Sequence, residues 1–157
     1  CLMDASHLEP CEMPKPVPFA FSIPMKVAWG DMDAFGHVNN VSYARYFETA
    51  RAEFFSSFRL WAAKLDKQSS GPVLIHMDLD YRKQTVYPET LSITVGITSA
   101  SRRSFSMGCS MWNEKQECVL TATADFMWFD FDAGKPSTIP EQFHKLALAE
   151  AERRKER

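Results

Sequence analysis

The apolar residues of this chain change their period twice. Phe19, Phe21, Ile23, Met25, Val27 and Trp29 fall on alternate positions, the pattern of a strand with one buried face. Pro24, inside that run, cannot donate to a ladder and marks an edge or a break. From Phe47 the spacing becomes three and four: Phe47, Ala50, Phe54, Phe58, Trp61 and Leu65 lie on one stripe, which predicts a long amphipathic helix from about Asn40 to Leu65, capped by Asn39 or Asn40. Ser69-Ser70-Gly71-Pro72 ends the helical region, and period two then returns. Val73, Ile75, Met77, Leu79 and Tyr81 alternate with Leu74, His76, Asp78, Asp80 and Arg82, and Leu91, Ile93, Val95 and Ile97 alternate with Ser92, Thr94, Gly96 and Thr98, so both read as strands with a wet face. Phe105, Met107, Cys109 and Met111 continue the period, Asn113 to Glu117 form a polar turn, and Cys118 to Phe131 make a long last strand.

Residues 1–18 carry Pro10, Pro14, Pro16 and Pro18 among polar residues and read as an extended arm outside the core. The tail after Glu141, with Phe143 and Leu146 followed by A-E-A-E-R-R-K-E-R, reads as a short helix fraying into charge, which sets the domain at 19–143 and a charged tail at 144–157. One strand, a long helix and four consecutive strands predict an α+β domain, a five-stranded antiparallel sheet wrapped around one central helix. One helix covers only one face of such a sheet, so a second copy is expected on the edge or the open face, as homodimer or homotetramer.

At 157 residues and 45% hydrophobic content the chain fits one domain with a full core. A net charge of −2 argues against a general nucleic-acid binder, which needs a basic face. Cys1, Cys11, Cys109 and Cys118 contain no C-x-x-C pair and read as small buried thiols rather than a disulfide framework or a zinc site. No apolar run approaches the roughly 18 residues of a membrane span, and no basic-then-apolar leader is visible, so the expectation is a soluble cytoplasmic protein.

The densest chemistry lies between Trp29 and Arg51, W-G-D-M-D-A-F-G-H-V-N-N-V-S-Y-A-R-Y-F-E-T-A-R, where Asp31 and Asp33 precede a helix start. A carboxylate can act as base or nucleophile, and free N–H groups at a helix start can hold a developing oxyanion, so the arrangement suits acyl transfer. Read plainly, Asp33 and Asp31 are loop or cap aspartates that satisfy backbone N–H groups, and Gly36 permits a positive φ or a close approach. Glu48 stands one turn before Arg51, at ion-pair spacing, and Tyr43 reads as a buried ring with a hydroxyl anchor. Arg82 and Lys83, and Arg102 and Arg103, are solvated charge pairs or forks for phosphate.

The same segment resembles the signature of hot-dog fold acyl-CoA thioesterases of the 4-hydroxybenzoyl-CoA thioesterase type, in which D-x-D-x-x-G-x-V is followed by Asn, Tyr and a helical Glu and Arg. D-Y-R at Asp80 to Arg82, R-R-S-F at Arg102 to Phe105 and P-x-x-I-P at Pro136 to Pro140 extend the resemblance over about Val27 to Phe143. It implies a hot-dog fold and hydrolysis of acyl-CoA, with CoA as part of the substrate and neither cofactor nor metal. Residue by residue it implies Asp33 as the catalytic carboxylate, the N–H near Asn40 as oxyanion donor, and Asp31, Gly36, His37, Tyr43 and Glu48 in support. Arg102, Arg103, Ser104 and Arg82 are implied on CoA, near a dimer interface. His37 and Asn39-Asn40 stand where the aromatic-acyl enzyme has apolar and aromatic residues, which points to the broader acyl-CoA branch. Two rivals have their own signatures. A hot-dog dehydratase or hydratase would depend on His37, although Val38-Asn39-Asn40 replaces its Pro-rich continuation. A non-catalytic acyl-CoA binding protein would not depend on Asp33.

Overall fold

The computed structural model describes residues 15–58 and 69–155. Its elements run β1 (Phe21–Lys26), a 3-10 turn (Trp29–Asp31), α1 (Asn40–Ser57), β2 (Ser70–Tyr81), β3 (Thr90–Ala100), β4 (Ser104–Trp112), β5 (Cys118–Asp130), β6 (Lys135–Pro136) and α2 (Glu141–Lys155). All pairings are antiparallel, in the order β1-β3-β4-β5-β2, with the two-residue β6 added to β5. The α+β architecture expected from the element order, and the hot-dog fold that the resemblance implies, are therefore present, with a short sixth strand beyond the five foreseen. Pro24 sits on an edge strand, where its missing N–H costs no ladder bond.

The core forms where α1 lies on one face of the sheet. Tyr43, Tyr46, Phe47, Ala50, Phe54 and Phe55 of α1 are buried with Leu91, Ile93, Val95 and Ile97 of β3 and Phe105, Met107, Cys109 and Met111 of β4. Phe47 and Phe54 are wholly removed from water, each stabilising the fold by about 1.5–3 kcal/mol before packing losses are counted. The described part of α1 ends at Ser57 with Phe58 as its C-cap, so Trp61 and Leu65, expected to continue the stripe, lie outside the described residues. Burial raises the Cys109 thiol far above its ordinary range, in keeping with an inert core thiol; Cys1 and Cys11 fall outside the described residues.

Three expectations change. Trp29 does not continue β1: the chain turns into the 3-10 segment after Val27, and the indole is 77% exposed. The second face of β3, expected to be wet, is covered at its middle, where Thr94 and Gly96 are buried with Gly108 and Ser110 of β4, while Ser92 and Thr98 are exposed. Phe19, instead of lining the same face as Phe21, lies across Gly96 and Gly108, which stand opposite each other in the register and would each clash with it if they carried a Cβ. The Phe19 N–H donates to Thr94 Oγ1 (3.0 Å), and Ser110 Oγ donates to the Val17 carbonyl (3.2 Å). Finally, α1 is not the only helix on the sheet. The C-terminal helix, longer than the short one expected, packs along β3 and buries Phe143 and Ala147.

Candidate active site

The loop from Val27 to Asn39 has little regular structure and is held by hydrogen bonds of its backbone and of Asp31 and Asp33. Asp31 organises its first half. Its carboxylate accepts from the Ala28 N–H (3.0 Å) and the Tyr46 hydroxyl (2.6 Å) and forms an ion pair with Arg45, while its carbonyl accepts from the Asn39 N–H (2.9 Å). Burial alone would raise this carboxyl, but Tyr46, the Ala28 N–H and Arg45 together outweigh it and hold Asp31 below the usual carboxylate range. The same bond and burial push the Tyr46 hydroxyl well above its ordinary value.

The second half is a tight turn. The Asp33 N–H donates to the His37 carbonyl (2.9 Å), and the Gly36 N–H donates back to the Asp33 carbonyl (3.1 Å). Gly36 adopts φ +80°, which a side chain would strain. The Phe35 N–H donates to Asp33 Oδ1 (2.9 Å), an Asx turn that fixes the carboxylate while Oδ2 takes no donor among the described residues. Met32 bridges Val38, and the Val38 N–H donates to the Thr85 carbonyl (2.9 Å), which docks the turn on the segment after β2.

At the start of α1, Asn39 is the N-cap. Its side chain accepts from the Val41 N–H (3.2 Å) and its carbonyl from the Ser42 N–H (2.9 Å). The Asn40 N–H makes no hydrogen bond among the described residues, while the Asn40 carbonyl accepts from the Tyr81 hydroxyl (3.1 Å). Asp33, His37 and Asn40 thus open into one cleft of about 500 Å³ that also receives Tyr81, Arg82 and Lys83 from the end of β2, with Phe35, Val38 and Tyr43 as its apolar surface. Arg82 Nε donates to Thr121 Oγ1 (3.0 Å), and Lys83 is paired with Glu117. Burial raises the Tyr43 hydroxyl, partly offset by Thr85, and its ring meets Tyr81 edge-on.

Other residues singled out by sequence fall elsewhere. Glu48 is exposed on α1, outside the cleft; its charge favours the Arg51 cation without a contact ion pair, and the buried Arg51 guanidinium stacks over Phe47 (4.2 Å) and Phe126 (5.3 Å). Its place as the tie between helix and loop is taken by Arg45 and Tyr46, which sequence reasoning missed. Arg102, Arg103 and Ser104 begin β4, whereas the cleft lies toward the far end of that strand, beyond Met111; at about 3.3 Å per residue the separation is roughly 20 Å. One chain therefore does not bring them to Asp33. Among the described residues no three His, Cys, Asp or Glu side chains cluster as metal ligands, and no helix is long and apolar enough to cross a membrane.

A carboxylate and an unengaged helix-start N–H in one cleft is an arrangement for acyl transfer, and residues 27–146 match the model of the thioesterase-like superfamily. The chain belongs to the thioesterase-like superfamily. Its sequence is 26% identical over 117 residues to an Aquifex aeolicus (strain VF5) protein named as an inferred esterase, covering 74% of this chain and 89% of that one. Its fold matches a DHNA-CoA thioesterase from Staphylococcus aureus with a TM-score of 0.77 at 21% identity, over 87% of this chain and 94% of that one. It also matches the Staphylococcus aureus protein SAV2348, whose structure is a complex with CoA, with a TM-score of 0.78 at 13% identity over 89% of each chain. This superfamily member is a thioester hydrolase.

Proposed function

We propose that this thioesterase hydrolyses acyl-CoA to the free carboxylic acid and CoA, with Asp33 as base or nucleophile and the start of α1 as oxyanion site. One observation carries the reading: an Asp33 carboxylate anchored through Oδ1, with Oδ2 unengaged, lines the same cleft as Asn40, whose N–H is unengaged at the start of an eighteen-residue helix. As base, Asp33 takes a proton from water while the water oxygen bonds to the thioester carbon; as nucleophile, its own oxygen forms that bond and makes a mixed anhydride that water later cleaves. Along both routes the carbonyl electrons move onto oxygen, where the Asn40 N–H and the helix dipole stabilise them by roughly 3 kcal/mol per donor. The C–S bond then breaks, its electron pair leaving with the CoA sulfur, which is protonated on release.

Arg82, on the rim of the same cleft, is suited to a CoA phosphate because a guanidinium fork holds phosphate by paired bonds. Arg102, Arg103 and Ser104, at the far end of β4 from the cleft, are suited to meet the phosphates of a CoA seated in the cleft of a partner copy. The β2 edge supplies the route: it is twelve residues long, exposes Val73, Leu74 and Ile75, and by pairing antiparallel with itself lays the Leu74 end of one protomer beside the Tyr81 end of its partner.

The test is thiol release from short, medium, long and aromatic acyl-CoAs by the parent, Asp33→Asn and His37→Ala. The reading expects Asp33→Asn to lose at least about a hundredfold on every ester the parent cleaves. Full turnover by Asp33→Asn with loss in His37→Ala would replace it by chemistry centred on the histidine.

A further inference from the structure

Asp31 is bonded in two directions at once. Its carboxylate reaches back to the Ala28 N–H and across to Arg45 and Tyr46 of α1, while its carbonyl receives the N–H of Asn39. Asp33 follows two residues after it, and Asn40 follows Asn39 directly. The carboxylate of the proposed chemistry and the N–H of the proposed oxyanion site are each within two residues of a bond to Asp31. We infer that Asp31, with Arg45 and Tyr46, is a positioning clamp that holds Asp33 and the Asn40 N–H in register with one another. The inference rests on the acyl-CoA reading above.

Within its own turn the Asp31 carboxylate takes one donor, the Ala28 N–H. The two donors from α1 add something else, a rigid link between loop and helix, and they sit where a buried carboxylate would otherwise lack partners. They are unequal. The Arg45 side chain is 61% exposed, so water screens its contribution, whereas Tyr46 is buried and its bond to Asp31 is sheltered. Tyr46 is therefore the stronger half of the clamp. A displacement of about 1 Å between reacting groups is enough to lower a rate steeply, so loosening this link acts on turnover rather than on substrate affinity.

The groups facing the Asp31 carboxylate are Tyr46 and Arg45 from α1 and the Ala28 N–H; Asp33 and His37 are the other titratable residues of the Val27–Asn39 loop. Removing the Tyr46 hydroxyl leaves the burial of Asp31 unchanged and takes away a donor to its ionised form, so Asp31 takes up a proton at a higher pH than in the parent.

The experiment measures kcat and KM against pH for the parent, Tyr46→Phe, Arg45→Met, Arg45→Lys and Asp33→Asn on one cleaved acyl-CoA. Tyr46→Phe is expected to lose about tenfold in kcat with KM within about twofold, and its acid limb is expected to move to higher pH. Arg45→Met is expected to lose about threefold, with Arg45→Lys restoring most of it. A merely structural tyrosine would lower the yield of active enzyme without moving the acid limb. Parent-like kcat in Tyr46→Phe, or a lowered kcat with an unmoved acid limb, overturns the clamp. Should Tyr46→Phe fail to fold, the Arg45 pair decides it, because equal losses in Met and Lys variants also overturn it. Full activity in Asp33→Asn would instead sink the reading on which the clamp depends.

Discussion

Asp31 and Asp33 differ by two positions and by everything around them. Asp31 is buried and spends its carboxylate on three donors, whereas Asp33 stands in the cleft with one oxygen anchored. The pair was legible in the sequence as two carboxylates ahead of a helix, and the anchoring role of Asp31 followed from its place in the turn. Its helix donors were not legible, because Tyr46 reads as one more apolar-face ring and Arg45 as one more exposed charge on α1. Glu48 drew attention in their stead through its spacing from Arg51, but spacing cannot tell which face of the helix meets the loop. Asp31 also gives a pH prediction. Its native carboxyl lies below the ordinary value, so its contribution to stability is complete above the unfolded value of about 4 and is lost as pH falls through the lower native one. Asp31→Asn should therefore cost on the order of 2 kcal/mol in urea unfolding at pH 7, with the gap to the parent narrowing below about pH 4. A gap that widens on acidification would contradict this.

At the scale of elements, period and turn chemistry located β1, the start of α1 and the four later strands; β3, β4 and β5 each bury a continuous apolar face, whereas β2 shows the alternation although Val73, Ile75 and Tyr81 stay exposed. The outer face of β3 and β4 misled for a physical reason. Thr94, Gly96, Gly108 and Ser110 are small and weakly polar, and such residues look the same whether they face water or a close-packed ring. Here the cross-strand Gly96–Gly108 pair makes a socket for Phe19. Gly108→Ala is expected to destabilise the fold by about 1–3 kcal/mol through overpacking. Phe19→Ala should add little on top of it, since the ring would already be displaced. Denaturant titration of both single variants and the double variant checks this; strictly additive losses would mean that Phe19 does not occupy the socket.

For the whole molecule, the sheet order could not be read from one sequence, because alternation marks a strand and is silent about its neighbour. That order decides the function proposed. It sends β2 to an edge, exposes its apolar stretch, and leaves Arg102, Arg103 and Ser104 far from the cleft of their own chain. If these arginines serve the partner's cleft, a mixed dimer of Asp33→Asn with an Arg102→Ala, Arg103→Ala double variant contains one intact site, and mixing the two impaired proteins should restore turnover toward a quarter of the parent's sites. No recovery on mixing, with subunit exchange verified by mass, would place those arginines outside the site. If the β2 edge joins two copies, Ile75→Lys should shift the protein toward monomer in sedimentation and lower turnover in parallel.

Asp33 is proposed to perform chemistry rather than binding. The most direct measurement pairs the affinity of a non-hydrolysable thioether analogue of a cleaved acyl-CoA, by titration calorimetry, with single-turnover cleavage of the thioester itself, for the parent and Asp33→Asn. Chemistry at Asp33 requires analogue affinities within about twofold of each other and a cleavage rate at least about a hundredfold lower in the variant. Cleavage by Asp33→Asn within about threefold of the parent would contradict it.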